Sequence, residues 1–352
     1  MDEELKDKNN SGQVKAMLDS MVEGVLVLDA GGKITLANKA FEDTFKTKEE
    51  HIIGRTLIEA VRNPELDSFL RDILEAKRTR EIEIEMLTPV EGVFKVRATF
   101  FGKEEEDKKG LLAVFFDVTE LRKLERARTD FVANVSHELK TPLASIKGFT
   151  ETLLEGAVED KENNKKFLHI IQENANRLER LINDILELSK MESSRLEPAK
   201  DTFNMREAVS KAVEMLKPVS EKKHIKIEIK IPENFPGVYA NVDMLEQVLI
   251  NLLDNAVKFN KEGGSVTVEA EEKQKEIIIS VKDTGPGIPE ADQPRIFERF
   301  YRVDKGRSRE FGGTGLGLAI VKHIIQLHGG TTGVESKLRG GSKFFFTLPK
   351  AD

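Results

Sequence analysis

The stretch Phe131-Val132-Ala133-Asn134-Val135-Ser136-His137-Glu138-Leu139-Lys140-Thr141-Pro142-Leu143 decides how the chain is read. Phe131, Val135 and Leu139 recur every fourth residue and mark one apolar face of a helix. At about 100° per residue, His137 falls roughly 160–240° from that face, which predicts an imidazole turned outward. Glu138 stands beside it, and Thr141 follows one turn later on the same face. Pro142 offers no N–H to the carbonyl of Glu138, so the helix is expected to loosen or kink just past the histidine. An exposed histidine is most often a bland surface residue. One with a carboxylate alongside can act as a nucleophile, its second ring nitrogen giving up a proton.

The helical pattern extends outward from there, over Thr119 to about Met191. Downstream, Phe167, Ile171, Asn174, Leu178, Leu181, Ile185 and Leu188 alternate steps of four and three. That is a heptad seam with one polar residue where register is often specified. Upstream, Leu121, Leu124, Phe131, Val135, Leu139, Ile146 and Leu153 form a less regular stripe. Gly156 and Asp160-Lys161-Glu162-Asn163 break the two helices apart. Two helices cannot enclose so long a seam, whereas two copies forming a four-helix bundle can, so a homodimer is expected.

From about Glu197 the chain alternates strands and helices. Ile225–Ile231, Ser265–Ala270, Glu276–Lys282 and Lys343–Leu348 have strand character. Helices are expected near Asn204–Lys217, Asn241–Asn260 and Leu316–Leu327. Glycine concentrates in Asp283-Thr284-Gly285-Pro286-Gly287-Ile288-Pro289 and in Gly312-Gly313-Thr314-Gly315-Leu316-Gly317-Leu318. The second cluster opens a helix, where exposed backbone amides attract anions. Neither a P-loop nor a Rossmann fingerprint is present. On the helix before the clusters, Asn251, Asn255 and Lys258 share one face. Two amide oxygens and an ammonium suit a hydrated magnesium ion with nucleotide phosphates. The competing reading is a polar solvent face opposite Leu252, Leu253 and Val257.

The N-terminal part, from about residue 14 to 118, reads as mixed α+β. Val25–Asp29 and Ile34–Ala37 are strands joined by the turn Ala30-Gly31-Gly32-Lys33. Helical patterns follow at Lys39–Phe45 and Leu66–Ala76, with Asn63-Pro64 as a breaker between them. Three more strands are expected at Arg80–Leu87, Gly92–Phe101 and Leu111–Val118, with the charged stretch Lys103–Lys109 as a solvated connection.

Composition narrows the function. The 352 residues carry 55 basic and 62 acidic side chains, a formal net charge of -7, which argues against a nucleic-acid binder or a polybasic membrane-surface protein. With 0 cysteines there is no disulfide, thiolate zinc site, cysteine nucleophile or flavin-cysteinyl photosensor. The apolar run Leu111–Phe116 is far short of the roughly 20 residues of a membrane helix, and Asp2-Glu3-Glu4 is acidic where a signal peptide is basic. A soluble, cytoplasmic protein is the expectation.

Taken together, these segments resemble the conserved boxes of bacterial two-component sensor histidine kinases. Phe131–Leu143 resembles the H box nearly residue for residue, Asn251–Lys258 the N box, Asp283–Gly287 the G1 box, Arg295–Arg302 the F box and Gly313–Leu318 the G2 box. The region before them looks like a PAS sensor domain, including Asp117-Val118-Thr119-Glu120 at its exit. The whole is similar to the cytoplasmic part of phosphate-regulon sensor kinases, in which membrane helices commonly precede the PAS domain, so a membrane anchor outside this sequence is expected. The resemblance implies a multidomain α+β chain: a PAS domain over 1–118, an antiparallel HisKA helical hairpin that dimerises over 119–195, and a GHKL (Bergerat) α/β sandwich over 196–352. Thr332 and the turn Gly340-Gly341-Ser342 depart from the family pattern, both away from the boxes in sequence.

The resemblance also implies the chemistry. ATP with Mg²⁺ would sit in the sandwich. Asp283 would accept from the adenine amino group, Asn255 would ligate magnesium with Asn251 in support, and Lys258 would neutralise phosphate. Gly285, Gly287, Gly313, Thr314, Gly315, Leu316 and Gly317 would line the nucleotide, with Phe297 and Phe300 at the base of a lid over about 303–312. His137 would attack the γ-phosphate, Glu138 would take its proton, and an aspartate of a response regulator would receive the group. In a phosphatase mode Thr141 would orient water. Asp283 also reads as a turn residue before Gly285, and the two phenylalanines as ordinary core aromatics. His51, His169, His224, His323 and His328 read as structural or surface residues, with haem ligation the lesser alternative for His51, and no residue specifies a PAS ligand. The rival functions are a non-catalytic or phosphatase-dominant scaffold of the same fold, and a chaperone-type or mismatch-repair-type GHKL ATPase. The latter lacks the Thr119–Met191 helix pair.

Overall fold

The computed structural model describes residues 13–102, 109–193, 199–304 and 313–350. Its contacts divide the chain into two compact units, Met1–Asp130 and Phe131–Asp352.

The first unit is built on a five-stranded antiparallel sheet in the order β2-β1-β5-β4-β3. Its strands are β1 (Gly24–Asp29), β2 (Ile34–Ala37), β3 (Arg80–Met86), β4 (Gly92–Phe101) and β5 (Gly110–Asp117). The β1–β2 turn forms because the Asp29 carboxylate accepts from the backbone N–H of Gly31 and of Lys33, both at 2.9 Å. Helices α1 (Lys39–Phe45), α2 (Glu49–Ile52), α3 (Leu57–Val61) and α4 (Pro64–Ala76) cross between β2 and β3. Asn38 caps α1 from inside the core. It accepts from Val25 and Phe41 N–H and donates to the carbonyls of Leu18 and Glu23, which satisfies a side chain only 1% exposed. Phe41, Phe45, Phe94 and Phe115 fill the centre with ring centroids 4.5–5.4 Å apart. Asn63-Pro64 marks the break between α3 and α4, as the N-cap and first residue of α4, where a proline's missing N–H costs nothing. The expected connection over Lys103–Lys109 lies, but for Lys109, outside the described residues.

The unit boundary falls inside α5 (Thr119–Leu154), which runs into a 3₁₀ turn at Ala157–Glu159 and then α6 (Asn164–Ser193). α5 continues as helix through Pro142, the residue at which a loosening or kink is expected. Pro142 is buried, and the Thr141 hydroxyl donates to the His137 carbonyl at 3.2 Å, binding the turn that the proline leaves short of an N–H. α5 and α6 meet through Phe149 and Phe167, with centroids 5.4 Å apart, and through Asn174, which donates to the Ser145 hydroxyl at 3.3 Å. Leu181 and Leu188 of the seam are buried and Leu178 and Ile185 half-buried, whereas Leu121 and Leu124 are exposed.

The rest is a two-layer α/β sandwich. Its sheet has the order β11-β12-β10-β9-β7, with β7 parallel to β9 and the other pairs antiparallel. The strands are β7 (Lys226–Lys230), β9 (Ser265–Glu272), β10 (Glu276–Asp283), β11 (Thr332–Lys337) and β12 (Gly341–Pro349). A separate pair joins β6 (Asp201–Phe203) to β8 (Val238–Ala240). Helices α7 (Met205–Lys222), α8 (Val242–Lys258) and α9 (Gly317–Leu327) supply the other layer. Leu249, Leu253, Val266, Val268, Ile279, Ile320, Ile324 and Phe346 are fully buried at its centre. α7 passes through Pro218 to Lys222, although its apolar pattern read as ending at Lys217. Packing of Leu216 and Ser220 into the core outweighs the single bond that Pro218 forfeits.

Candidate nucleotide site and phosphoacceptor helix

A cavity of about 500 Å³ opens in the second unit where α8, the ends of β10 and β12, and the glycine-rich loop before α9 converge. Helix α8 aims four polar side chains at it. Leu249, Leu252, Leu253 and Val257 are buried in the core, which turns Asn251, Asp254, Asn255 and Lys258 to the cavity. The face thus serves the cavity. Both ends of the helix are held by distant side chains. Asn241 caps the N-terminus, and its own N–H donates to Nε2 of the buried His328 at 3.0 Å. At the other end the Lys223 ammonium donates to the carbonyls of Val257 and Lys258. Burial pushes the Lys258 ammonium below its ordinary pKa, with Asp254 at 3.9 Å opposing the shift.

Asp283 ends β10, 8% exposed. Its Oδ1 accepts from Gly285 N–H at 2.7 Å and from Ser342 N–H at 3.3 Å. Both bonds fall on one oxygen, so the carboxylate performs the turn role and still offers Oδ2 to the cavity it lines. Burial raises its pKa against those two bonds. Gly287 has φ +72, and a Cβ there would stand 2.0 Å from the Lys337 carbonyl oxygen, so only glycine lets the β11–β12 turn pass. That turn is not remote from the boxes, as the sequence order suggested. Gly341 has φ +86 with its Cβ direction 2.1 Å from the Asp283 carbonyl oxygen, and Ser342 lines the cavity.

Gly313, Thr314, Gly315 and Gly317 line the cavity as well. Gly285 serves Asp283 through its N–H, and Leu316 is fully buried in the core instead of facing the cavity. One observation marks the site as built for a ligand: Asn251 Nδ2 is buried and has no hydrogen-bond partner among the described residues. Phe297 is half-buried against the core, while Phe300 reaches α5, its ring 5.8 Å from Phe131, with the Arg299 guanidinium 5.2 Å over the same ring. Most of the expected lid, 305–312, lies outside the described residues.

His137 is exposed on α5 and does not line the cavity, nor do Glu138 and Thr141. Glu138 is held by two cations: Arg177 of α6 at 2.8 Å and Arg302 at 3.3 Å. Arg302 also lines the cavity and donates to the Gly313 carbonyl. Sequence reasoning passed over Arg177, Arg180, Asp184, Lys223 and Ser342. A signal existed for the first three: they run beside the apolar seam of α6 in the same heptad rhythm, one residue ahead of Leu178, Leu181 and Ile185.

Among the described residues no helix is long and apolar enough to cross a membrane, and no three acidic, histidine or cysteine side chains gather as a metal cluster.

Comparison with known proteins agrees with this architecture. Residues 12–118 match the PAS fold, 127–194 the His Kinase A (phospho-acceptor) domain, and 240–352 the histidine kinase-, DNA gyrase B- and HSP90-like ATPase family. The sensor histidine kinase WalK of Bacillus subtilis (strain 168) is 35% identical over 339 residues, covering 96% of this chain and 55% of WalK. The sensor protein SrrB of Staphylococcus aureus is 32% identical over 348 residues, covering 96% of this chain and 56% of SrrB. The chain thus spans about half the length of these relatives. Among solved structures, histidine kinase ThkA, crystallised in complex with response regulator protein TrrA, superposes with a TM-score of 0.54 at 28% identity, covering 96% of this chain and 98% of ThkA. The chain thus carries, in order, a PAS domain, a His Kinase A phospho-acceptor domain and an ATPase domain of the histidine kinase-, DNA gyrase B- and HSP90-like family, and over 96% of its length it is similar to sensor histidine kinases.

Proposed function

We propose that the chain is a protein-histidine kinase, which moves the γ-phosphoryl group of ATP to His137 and from there to an aspartate of a response regulator. The observation that carries this reading is the cavity itself: Asn251, Asn255, Lys258, Asp283 and the Gly313–Gly317 loop converge on it, in the same unit as an exposed His137. The domains would be PAS over 1–118, the dimerising helix pair over 119–195 and the ATPase domain over 196–352.

The donor set fits the nucleotide. Asp283 keeps one carboxylate oxygen for an adenine amino group, Asn251 holds an unpartnered buried N–H for a phosphate oxygen, and Lys258 brings a cation. It also fits magnesium, since an ion held chiefly by phosphate oxygens and water needs only one side-chain amide oxygen, that of Asn255. Bound there, Mg²⁺ would neutralise charge on the phosphates. In the transfer, a ring nitrogen of His137 bonds to the γ-phosphorus as the bond to the β-phosphate oxygen breaks and ADP departs. Glu138 takes the proton from the other ring nitrogen. Positioning and charge neutralisation supply most of the rate. Because Glu138 is paired with Arg177 and Arg302 in this arrangement, transfer requires the ATPase domain to release α5 and approach His137. A homodimer would cover the half-buried seam of α5 and α6 as a four-helix bundle. With a phosphorylated regulator bound, the Thr141 hydroxyl would leave the His137 carbonyl to orient a water, giving a phosphatase activity.

The test is incubation with γ-labelled ATP and magnesium. Acid-labile, alkali-stable label that disappears in His137→Gln is expected. Label that persists in that variant overturns the assignment of His137.

A further inference from the structure

Helix α6 carries a second stripe that the dimer seam does not use. Arg177, Arg180, Asp184 and Glu187 follow at steps of three, four and three. Arg177 pairs with Glu138 at 2.8 Å, Arg180 and Asp184 line the nucleotide cavity, and Glu187 accepts from the Gln247 side chain of α8. Asp184 makes the contact of most consequence. Its Oδ2 accepts from the Thr314 hydroxyl at 2.7 Å. Thr314 belongs to the glycine-rich loop that opens the 11-residue helix α9, and backbone amides at such a start favour an anion. A carboxylate therefore already sits at the place in the cavity best suited to a phosphate. The Thr314 hydroxyl has one proton, which it gives to Asp184; a phosphate oxygen arriving at the loop needs the same proton and meets a like charge.

We propose that Asp184 is an internal competitor for the phosphate end of the nucleotide site, so that docking of α6 on the ATPase domain and nucleotide binding oppose each other through Thr314. The proposal rests on the nucleotide reading above. Because coupling is reciprocal, removing the carboxylate must tighten nucleotide binding, and bound nucleotide must loosen the α6 contact by the same factor. Substrate itself would then help undo the arrangement in which Glu138 is tied up by Arg177 and Arg302.

Calorimetric titration of the full chain with Mg-AMPPNP tests the first half. Asp184→Ala is expected to bind at least fivefold more tightly than the parent, about 1 kcal/mol. Asp184→Asn, which keeps the shape but not the charge, is expected to fall between the two. The second half uses the absence of native cysteine, 0 in the sequence. With Glu187→Cys and Gln247→Cys as the only thiols, a short bis-maleimide reports the docked contact, and saturating Mg-AMPPNP is expected to slow cross-linking at least threefold. If the parent binds nucleotide but both Asp184 variants bind equally or more weakly, or if cross-linking ignores nucleotide, the competitor role is wrong while the nucleotide site stands. If neither parent nor variants bind Mg-AMPPNP, the nucleotide reading fails and takes this proposal with it.

Discussion

Replacing Asp283 by asparagine separates what the residue does for the fold from what it does for a ligand. The Asp283→Asn oxygen can still accept from the N–H groups of Gly285 and Ser342, so the turn after β10 is kept. The charge is lost, and burial disfavours that charge, as its raised pKa records. Apo stability should therefore hold or rise slightly. Binding should suffer. An adenine amino group that met a carboxylate oxygen now meets an amide N–H, losing a charge-assisted hydrogen bond of about 1.5–3 kcal/mol. At 1.4 kcal/mol per decade, that is roughly ten- to a hundredfold in affinity.

Thermal unfolding reads both effects in one instrument. At a nucleotide concentration about 100 times the parent's dissociation constant, binding stabilises by about 2.7 kcal/mol; weakened a hundredfold, it contributes only about 0.4 kcal/mol. For a domain of this size 1 kcal/mol moves the midpoint by about 2–4 °C, so a ligand shift of about 5–10 °C should shrink to about 3–6 °C for a tenfold loss and about 1–2 °C for a hundredfold one. The reasoning is refuted if the variant keeps more than about three-quarters of the ligand shift, since even a tenfold loss of affinity would remove roughly half of it. It is equally refuted if the apo midpoint drops by several degrees, because Asp283 would then be structural first.

Two further outcomes follow from the frame around the cavity. His328 is held neutral by burial, its Nε2 accepting from Asn241 N–H and its Nδ1 facing the Ile324 carbonyl at 2.8 Å. Its folded pKa lies below its ordinary value of 6.5, so the stability it gives is complete above pH 6.5 and is lost as pH falls below that. Urea unfolding from pH 7.5 to 5 should show a steeper acid loss in the parent than in His328→Gln, by up to about 1.4 kcal/mol per pH unit, and equal slopes would contradict the neutral cap. At the β11–β12 turn, Gly341→Ala forces a Cβ against the Asp283 carbonyl oxygen, 2.1 Å away, at a φ of +86. About 1–3 kcal/mol of stability should go, and nucleotide affinity should fall at least tenfold. An unchanged titration would show that this turn does not hold Asp283.

The helix pair, the β1–β2 hairpin and the glycine loops were legible because each rests on short-range order. A heptad seam, an Asp-turn and a Gly-rich helix start declare themselves within a dozen residues. What escaped was long-range. Ser342 meets Asp283, His328 meets Asn241 and Lys223 meets the end of α8 across many tens of residues, and no local period links such partners. One proline misled for a related reason. Pro218 looks like a helix end by local rule, yet tertiary burial of Leu216 and Ser220 carries the helix through. Leu316 was grouped with the loop glycines by its place in the box, but its fully buried side chain anchors the loop from behind.

Three of the charges that burial displaces in this unit lie on the cavity. Asp184 and Asp283 are pushed up and Lys258 down, each by desolvation first. A fold selected for stability alone would replace such groups by apolar ones of similar size, since a buried charge without a full complement of partners costs more than it returns. Among the described residues, Lys258 has only Asp254 at 3.9 Å as an ion pair, and Asn251 Nδ2 has no hydrogen-bond partner. Incomplete pairing of this kind makes sense where an outside group with several acceptor oxygens completes it. A triphosphate is such a group: it would satisfy the Asn251 donor and the Lys258 cation together. The same logic makes Asp184 the odd member, an anion among donors, and its removal the perturbation that should improve binding instead of harming it.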